Sequence, residues 1–132
     1  MTQINKKGFT LIEIIIALTI LGIGLVSAMA YLPVALDAAR KASDINKAAL
    51  IAQSRISEVK AASYTNFANA DTQDTGGLFV ADADYSGFSY MIDVADVAGK
   101  QLKTVTVTVQ WTFRGKNNSD VFTTEIVKYN PT

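Results

Sequence analysis

The chain of 132 residues contains no cysteine and no histidine. The first absence excludes disulfides, thiolate nucleophiles and cysteine–zinc sites, and the second removes the commonest base and metal ligand near neutral pH. Neither sign of charge is in excess, because twelve lysines and arginines balance twelve aspartates and glutamates. A balanced charge gives no reason to expect a nucleic-acid groove. We therefore expect no cofactor and no nucleic-acid partner.

The apolar residues are concentrated near the N-terminus. Lys6 and Lys7 stand before a run, residues 14–36, that contains no charged side chain. About 20 apolar residues are enough to cross a bilayer as a helix, and the short basic end is expected to stay in the cytoplasm. The sequence therefore predicts one membrane-spanning helix, with the lipid bilayer as its first partner.

Glu13 is an exception at the start of this apolar stretch. A carboxylate there costs about 2.5 kcal/mol or more at the bilayer centre, and less near its edge. Two interpretations stay open. Glu13 rests at the level of the lipid headgroups, or it pairs with an ammonium at Phe9 of a like subunit, which would exist only if the chain were cut after Gly8.

The segment 6–13, followed by the unbroken apolar run, resembles the class III signal of type IV prepilins and type II secretion pseudopilins. In that family a membrane peptidase cuts after the glycine and methylates the new N-terminal residue, and the glutamate is needed for assembly. The resemblance implies cleavage after Gly8, N-methylation of Phe9 and an assembly role for Glu13. It also implies a single-pass protein of the inner membrane, with a cytoplasmic N-terminus and a periplasmic or extracellular head, that later enters a pilus or pseudopilus.

The resemblance implies a structural subunit and not an enzyme. Its partners would be other pilins or pseudopilins, the prepilin peptidase and the inner-membrane assembly platform. Residues 9–25 are more similar to minor subunits than to a major pilin. We predict a minor type IV pilin-like subunit that enters or primes a pilus. The alternatives are a minor pseudopilin of a type II secretion system and a DNA-uptake or adhesive tip subunit.

An ordinary secretory signal is the competing interpretation of the N-terminus. Ala28, Met29 and Ala30 fit the small-x-small pattern of a secretory cleavage site. However, Glu13 interrupts the start of the apolar core, and the apolar stretch exceeds the usual length of about 7–15 residues. Both facts favour the prepilin signal.

Three residues weaken the predicted helix. Gly22 and Gly24 each cost about 1 kcal/mol relative to alanine, and Pro33 cannot donate a helical hydrogen bond. Glycine and proline are also common in membrane helices, so these residues alone do not require a hinge. The resemblance to type IV pilins implies local unwinding in the filament, and hence a helix hinge at Gly22, Gly24 and Pro33.

Helical periodicity continues beyond the apolar run. The apolar positions that recur at steps of three and four residues are Ile45, Ala48, Ala49, Ala52, Ile56 and Val59. Leu50 and Ile51 lie off this stripe, so more than one side of the helix is expected to be covered. The alanines favour close packing under a sheet or beside another helix.

The last part of the chain has the two-residue period of strands. Residues 66–77 predict a loop, residues 88–94 alternate, and residues 104–113 place valine and aromatic side chains on one face with threonine on the other. Residues 115–120 predict a polar turn and residues 121–129 a last strand. A sheet with one apolar face needs a cover, and the alanine-rich helix is available. The predicted fold is α+β and pilin-like, with a long N-terminal helix packed on a small antiparallel sheet.

The predicted organisation has four parts. They are a leader peptide at 1–8, a transmembrane and assembly half-helix at 9–34, an amphipathic half-helix at 35–64, and a loop with the sheet head at 65–132. We expect the head from about Ala35 onward to be soluble and to fold alone.

Acidic residues offer two weak candidate sites. Asp82, Asp84, Ser86 and Asp93 match calcium-binding positions of an EF-hand loop, but their flanks predict strands, so a hairpin turn over residues 82–87 is favoured. Residues 74–76 spell the Asp-Thr-Gly of aspartic proteases, whose chemistry needs a second carboxylate from another copy. A polar loop is the favoured interpretation.

Four basic residues could instead form a DNA-binding patch, namely Lys100, Lys103, Arg114 and Lys116. Solvated strand ends are the simpler interpretation.

Overall fold

A computed structural model describes residues 8–128, which form one long helix, one short 3₁₀ helix and one sheet. The elements are α1 (Leu11–Thr65), the 3₁₀ helix (Phe67–Gln73), β1 (Val80–Ala81), β2 (Phe88–Asp96), β3 (Leu102–Phe113) and β4 (Lys116–Val127). The chain divides into two units, Met1–Arg40 and Lys41–Thr132. The second unit is called the head below.

The sheet is an antiparallel meander in the order β1-β2-β3-β4. In β3 the buried residues alternate strictly with partly exposed ones up to Trp111, as the two-residue period predicts. Ile92 of β2 and Phe122 of β4 both pair with Val107 of β3. The central strand therefore carries the core of the head.

The helix covers the apolar face of this sheet, so the predicted α+β architecture is confirmed. From α1, Ala48, Ile51, Ala52 and Val59 are buried in one cluster with the inward-facing residues of the sheet. Alanine adds little bulk at 48 and 52, which lets the helix approach closely. Close approach also covers Ile51, which is 2% exposed although it lies off the predicted stripe, whereas Leu50 beside it is 55% exposed.

The segment predicted as a loop at 66–77 contains the 3₁₀ helix. Asn66 caps this helix, because its side-chain oxygen accepts a hydrogen bond from the backbone N–H of Ala68 at 3.1 Å. Ala70 of the same helix is fully buried in the core cluster. Asparagine is a common helix cap, so Asn66 could have predicted the start of this helix. The polar composition of the segment led instead to the prediction of a loop.

The polar turn predicted at 115–120 is wrong. The turn consists of Arg114 and Gly115 alone, with φ values of 52° and 72°, and β4 already begins at Lys116. Two residues with positive φ match the right-handed twist of a hairpin. The polar residues after Lys116 can be strand residues because β4 is the last strand of the sheet. The predicted strand end at Tyr129 lies outside the described residues.

A fragment that starts at Ala35 contains the whole head. In this fragment Ile51→Ala should lower the free energy of unfolding by about 2–5 kcal/mol, since it empties a core site. Leu50→Ala is the matched control, because Leu50 is the exposed neighbour, and should change it by less than about 0.5 kcal/mol. Urea unfolding followed by circular dichroism measures both values. Equal effects of the two substitutions, or a fragment without a cooperative transition, would contradict the described core.

Candidate assembly and processing site

Thr10 caps the start of α1, the helix that carries the candidate assembly residue Glu13. The backbone N–H of Glu13 donates to the carbonyl oxygen of Thr10 at 3.1 Å and lies 3.4 Å from its Oγ1. Threonine followed by glutamate three residues later is the capping-box spacing, and a carboxylate in the first turn also favours the helix dipole. This spacing is visible in the sequence, and the sequence analysis missed that Thr10 caps the helix through the backbone N–H of Glu13.

The carboxylate of Glu13 has no ion pair within residues 8–128. Gly8 and Phe9 precede the first residue of α1 and are exposed. Lys6 and Lys7, with most of the predicted leader, lie outside the described residues. Cleavage after Gly8, methylation of Phe9 and the assembly role of Glu13 therefore stay predictions.

Residues 9–36, called the apolar segment below, have no protein cover in the single chain. Every large apolar side chain in this segment is at least half exposed. The hydroxyls of Thr19 and Ser27 donate to the carbonyl oxygens of Ile15 and Ile23 at 2.7 and 2.8 Å, so they need no outside partner. Among the described residues, α1 alone has the length and composition to cross a membrane.

The predicted hinge residues all lie within α1. The helix is assigned without interruption through Gly22, Gly24 and Pro33. A Cβ atom added at Gly22 or Gly24 would have open space around it, so neither glycine is required there by a close neighbour. A hinge in an assembled state stays a prediction.

Asp82 organises the hairpin turn that the sequence favoured at 82–87. Its Oδ1 accepts hydrogen bonds from the backbone N–H groups of Asp84 and Tyr85, both at 3.0 Å, and its Oδ2 accepts one from Arg55 Nη2 at 3.0 Å. Asp93 lies exposed on β2. Donors thus occupy both oxygens of Asp82, and residues 8–128 contain no group of three acidic side chains suited to a metal ion.

Arg55 joins α1 to the sheet through the same carboxylate. Its guanidinium also contacts Glu58 at 2.9 Å and lies 4.5 Å from the ring centre of Tyr90. Burial alone would raise the pKa of the Asp82 carboxyl, but Arg55 and the two backbone donors hold that pKa below its usual value. The sequence analysis did not single out Arg55, because its partner lies 27 residues away.

Asp74 and Thr75 cover part of the outer edge of β2. The backbone N–H and hydroxyl of Thr75 contact the carbonyl oxygen of Ile92 at 2.9 and 3.2 Å, and Asp74 Oδ2 accepts from the backbone N–H of Val94 at 2.8 Å. Asp74 Oδ1 accepts from the N–H of Gly76. Asp74 is thus a structural residue of a polar loop, as favoured over the protease interpretation.

The basic patch suggested by the sequence does not form. Lys103 is 3% exposed, and its Nζ contacts Asp71 at 2.7 Å and Asp96 at 2.8 Å. Burial alone would lower the pKa of the Lys103 ammonium, but the two carboxylates raise that pKa above its usual value. Lys100 lies before β3, whereas Arg114 and Lys116 lie beyond its other end, so these residues cannot share one surface.

A groove of about 780 Å³ lies between the last turns of α1 and the end of β4. Tyr64, Phe67 and Ile126 are among its lining residues, and its charged residues are Lys60, Glu125 and Lys128. The hydroxyl of Ser63, which also lines the groove, donates to the backbone carbonyl oxygen of Lys60 at 2.7 Å and not to a side-chain base. The groove therefore gives no reason to expect catalysis there.

Comparison with known families places one motif in this chain. The family model described as the prokaryotic N-terminal methylation motif matches residues 4–29, which include Gly8, Phe9 and Glu13. The match covers about a fifth of the chain. Together with the helix-on-sheet fold, it supports the resemblance to type IV pilins and pseudopilins. Comparisons with curated proteins and with solved structures gave no significant match.

Asp82→Asn should destabilise the head at neutral pH by about 1.5–3 kcal/mol, because it weakens hydrogen bonds to a charged group. The folded pKa of Asp82 is lowered, so its stabilisation is present above its ordinary pKa of 3.8 and is lost as pH falls through the folded value. The difference in the free energy of unfolding between Asp82→Asn and wild type should therefore become smaller in acid. Urea unfolding across pH measures it.

Asp84→Asn is the matched control, since Asp84 contributes only its backbone N–H to the same turn. It should leave stability within about 0.5 kcal/mol of wild type at each pH. A pH-independent loss for Asp82→Asn would refute the ionised Arg55–Asp82 contact.

Proposed function

We propose that this chain is a minor type IV pilin-like structural subunit. Prepilin peptidase cuts it after Gly8, and the mature chain enters a pilus or primes its assembly. The observation that carries the proposal is the methylation motif joined to an apolar segment without protein cover. The same motif also fits a minor pseudopilin of a type II secretion system, which is the second candidate.

The apolar segment needs two successive covers. Apolar surface in water costs about 25 cal/mol per Å², and this segment exposes it around the whole helix. In the precursor the inner membrane supplies the cover, with the basic N-terminus in the cytoplasm and the head outside. In a filament the cover comes from the same segments of neighbouring subunits, after transfer through the assembly platform.

The head has the properties of a structural part. Three of its carboxylates serve the fold, since Asp71 pairs with the buried Lys103, the buried Asp82 pairs with Arg55, and Asp74 covers part of the edge of β2. Of the four basic residues considered for DNA binding, Lys103 is buried, and Lys100 lies at the opposite end of β3 from Arg114 and Lys116. We therefore propose neither an enzyme nor a DNA-uptake subunit.

Cleavage supplies the cation that Glu13 lacks. The new ammonium at Phe9 stays positive after methylation, and no basic side chain within residues 8–128 pairs with Glu13. We propose that Glu13 of one subunit pairs with Phe9 of its neighbour inside the helix bundle. Removing one member of a buried ion pair costs about 3–5 kcal/mol, which is enough to decide docking.

Glu13→Ala should still insert into the membrane and still be cut, but its amount in sheared filaments should fall at least about 100-fold. Glu13→Gln should be equally defective, because glutamine preserves the capping box but not the charge. The full chain is expressed with its partner pilins and peptidase, and membrane and filament fractions are quantified. Thr19→Ala, a polar-to-apolar change in the same segment, is the control and should assemble normally.

The two Glu13 variants separate the competing roles. Normal assembly of Glu13→Gln with failure of Glu13→Ala would assign Glu13 to helix capping. Normal assembly of both would leave it a headgroup-level residue, and the proposed ion pair would be refuted.

A further inference from the structure

The last strand of the sheet has an open edge. Lys128 N–H donates to Gln101 O at 2.9 Å, so in this register the even-numbered residues of β4 bond towards β3. The N–H and C=O groups of its odd-numbered residues therefore point away from the sheet. Among these outward groups in residues 8–128, Val121 N–H donates to the side chain of Asp120 at 3.2 Å. Such an edge is a template for another strand.

The opposite edge of the sheet is short and apolar. Leu78, Phe79 and Val80 are all exposed at or beside β1. Val80 pairs with Tyr90, and Asp82 N–H donates to Phe88 O, so the backbone groups of Phe79 and Ala81 point outward. The two edges of the head therefore differ in length and side chains, yet both offer free strand hydrogen bonds.

We propose that the β1 edge of a second copy of this chain adds to β4 and extends the sheet. The inference rests on the proposed filament function, which places copies side by side. Because the sheet is a four-stranded antiparallel meander, a second copy in the same orientation brings its β1 antiparallel to β4. No reversal of either copy is needed.

One register aligns the outward backbone groups and the apolar residues Leu78 and Phe122, and it requires Val121 N–H to exchange its contact with the Asp120 side chain for one with the added strand. With Phe79 of the second copy opposite Val121, both residues present their outward backbone groups to each other. The same register sets Leu78 opposite Phe122, which is partly buried on the helix-facing side. It also brings the β1–β2 turn, which contains Asp84, to the end of β4 at which Lys116 begins the strand. Opposite charges thus meet at the end of the apolar contact.

Unlike edges give a contact that repeats. A contact between two different patches leaves the pair of copies with one free β1 edge and one free β4 edge, so copies continue to add unless the ring closes. A two-fold β4–β4 contact centred on Val121 would instead set each Asp120 opposite Phe122. The β1–β4 register sets one Asp120 opposite Val80 in each contact, whereas the two-fold contact sets two carboxylates opposite aromatic rings.

The absence of cysteine permits a direct crosslinking test. A full chain that carries both Phe79→Cys and Val121→Cys is expressed with the filament machinery. Its membranes and sheared filaments are then oxidised. Paired residues of this kind have Cα atoms about 5.5 Å apart, which suits a disulfide. Val127→Cys replaces Val121→Cys in the control, because Val127 is more exposed but lies roughly 20 Å further along the strand.

The Phe79/Val121 pair should give about tenfold more crosslinked dimer than the Phe79/Val127 pair or either single variant. Equal yields from the Val127 control would indicate random collision, and dimers of Val121→Cys alone would indicate β4–β4 pairing. Either result overturns the inference. Filaments that contain the chain without the crosslink would also overturn it while leaving the proposed function intact. Crosslinked chains that never enter filaments would support the strand pairing and refute the proposed function.

A charge exchange tests the same register while the positions of the two cysteines are held constant. Asp84→Lys, added to the cysteine pair, should reduce the crosslink about twofold to fivefold, as expected for an exposed ion pair. Adding Lys116→Asp to the same chain, so that every contact between copies carries both changes, should restore the crosslink. Loss of the crosslink in the double exchange would contradict the proposed Asp84–Lys116 contact.

Discussion

The exclusion of water from the apolar segment is the constraint on which the rest of the molecule depends. A helix that is apolar on all sides cannot be covered by a small head, and here its large side chains are at least half exposed from residue 9 to residue 36. Lipid and like helices are the two environments that remove this surface from water. Under the proposed function the same constraint acts on Glu13, because a carboxylate that enters a bundle of such helices needs a cation.

The head must be stable without disulfides, and it solves this with a small core and a few internal ion pairs. Valine residues of β3 pack under the alanine face of α1, while Arg55 and Lys103 each bring a carboxylate against the sheet. Replacing one member of such a pair leaves the other charge partly buried. Two of the four acidic residues that suggested a metal or protease site, Asp74 and Asp82, are occupied in holding the fold.

The periodicity of the apolar residues and the length of the uncharged run were enough to predict the helix, the central strand and the helix-on-sheet fold. They could not predict how deep a charged side chain lies. Lys103 falls on the buried face of β3 by the same alternation as Val105, yet its carboxylate partners come from the 3₁₀ helix and β2. The Arg114–Gly115 turn was missed because its polar neighbours belong to an edge strand. In the N-terminal site, the sequence identified Glu13 but overlooked the capping contact with Thr10.

The account depends most directly on the identity of the first residue in assembled material. Filaments sheared from cells that express the full chain and its peptidase can be digested and the N-terminal peptide sequenced by mass spectrometry. The account predicts a chain beginning at N-methylated Phe9, present in the filament fraction. A filament chain beginning at Met1 or at Tyr31, or a mature chain that never leaves the membrane fraction, would contradict it.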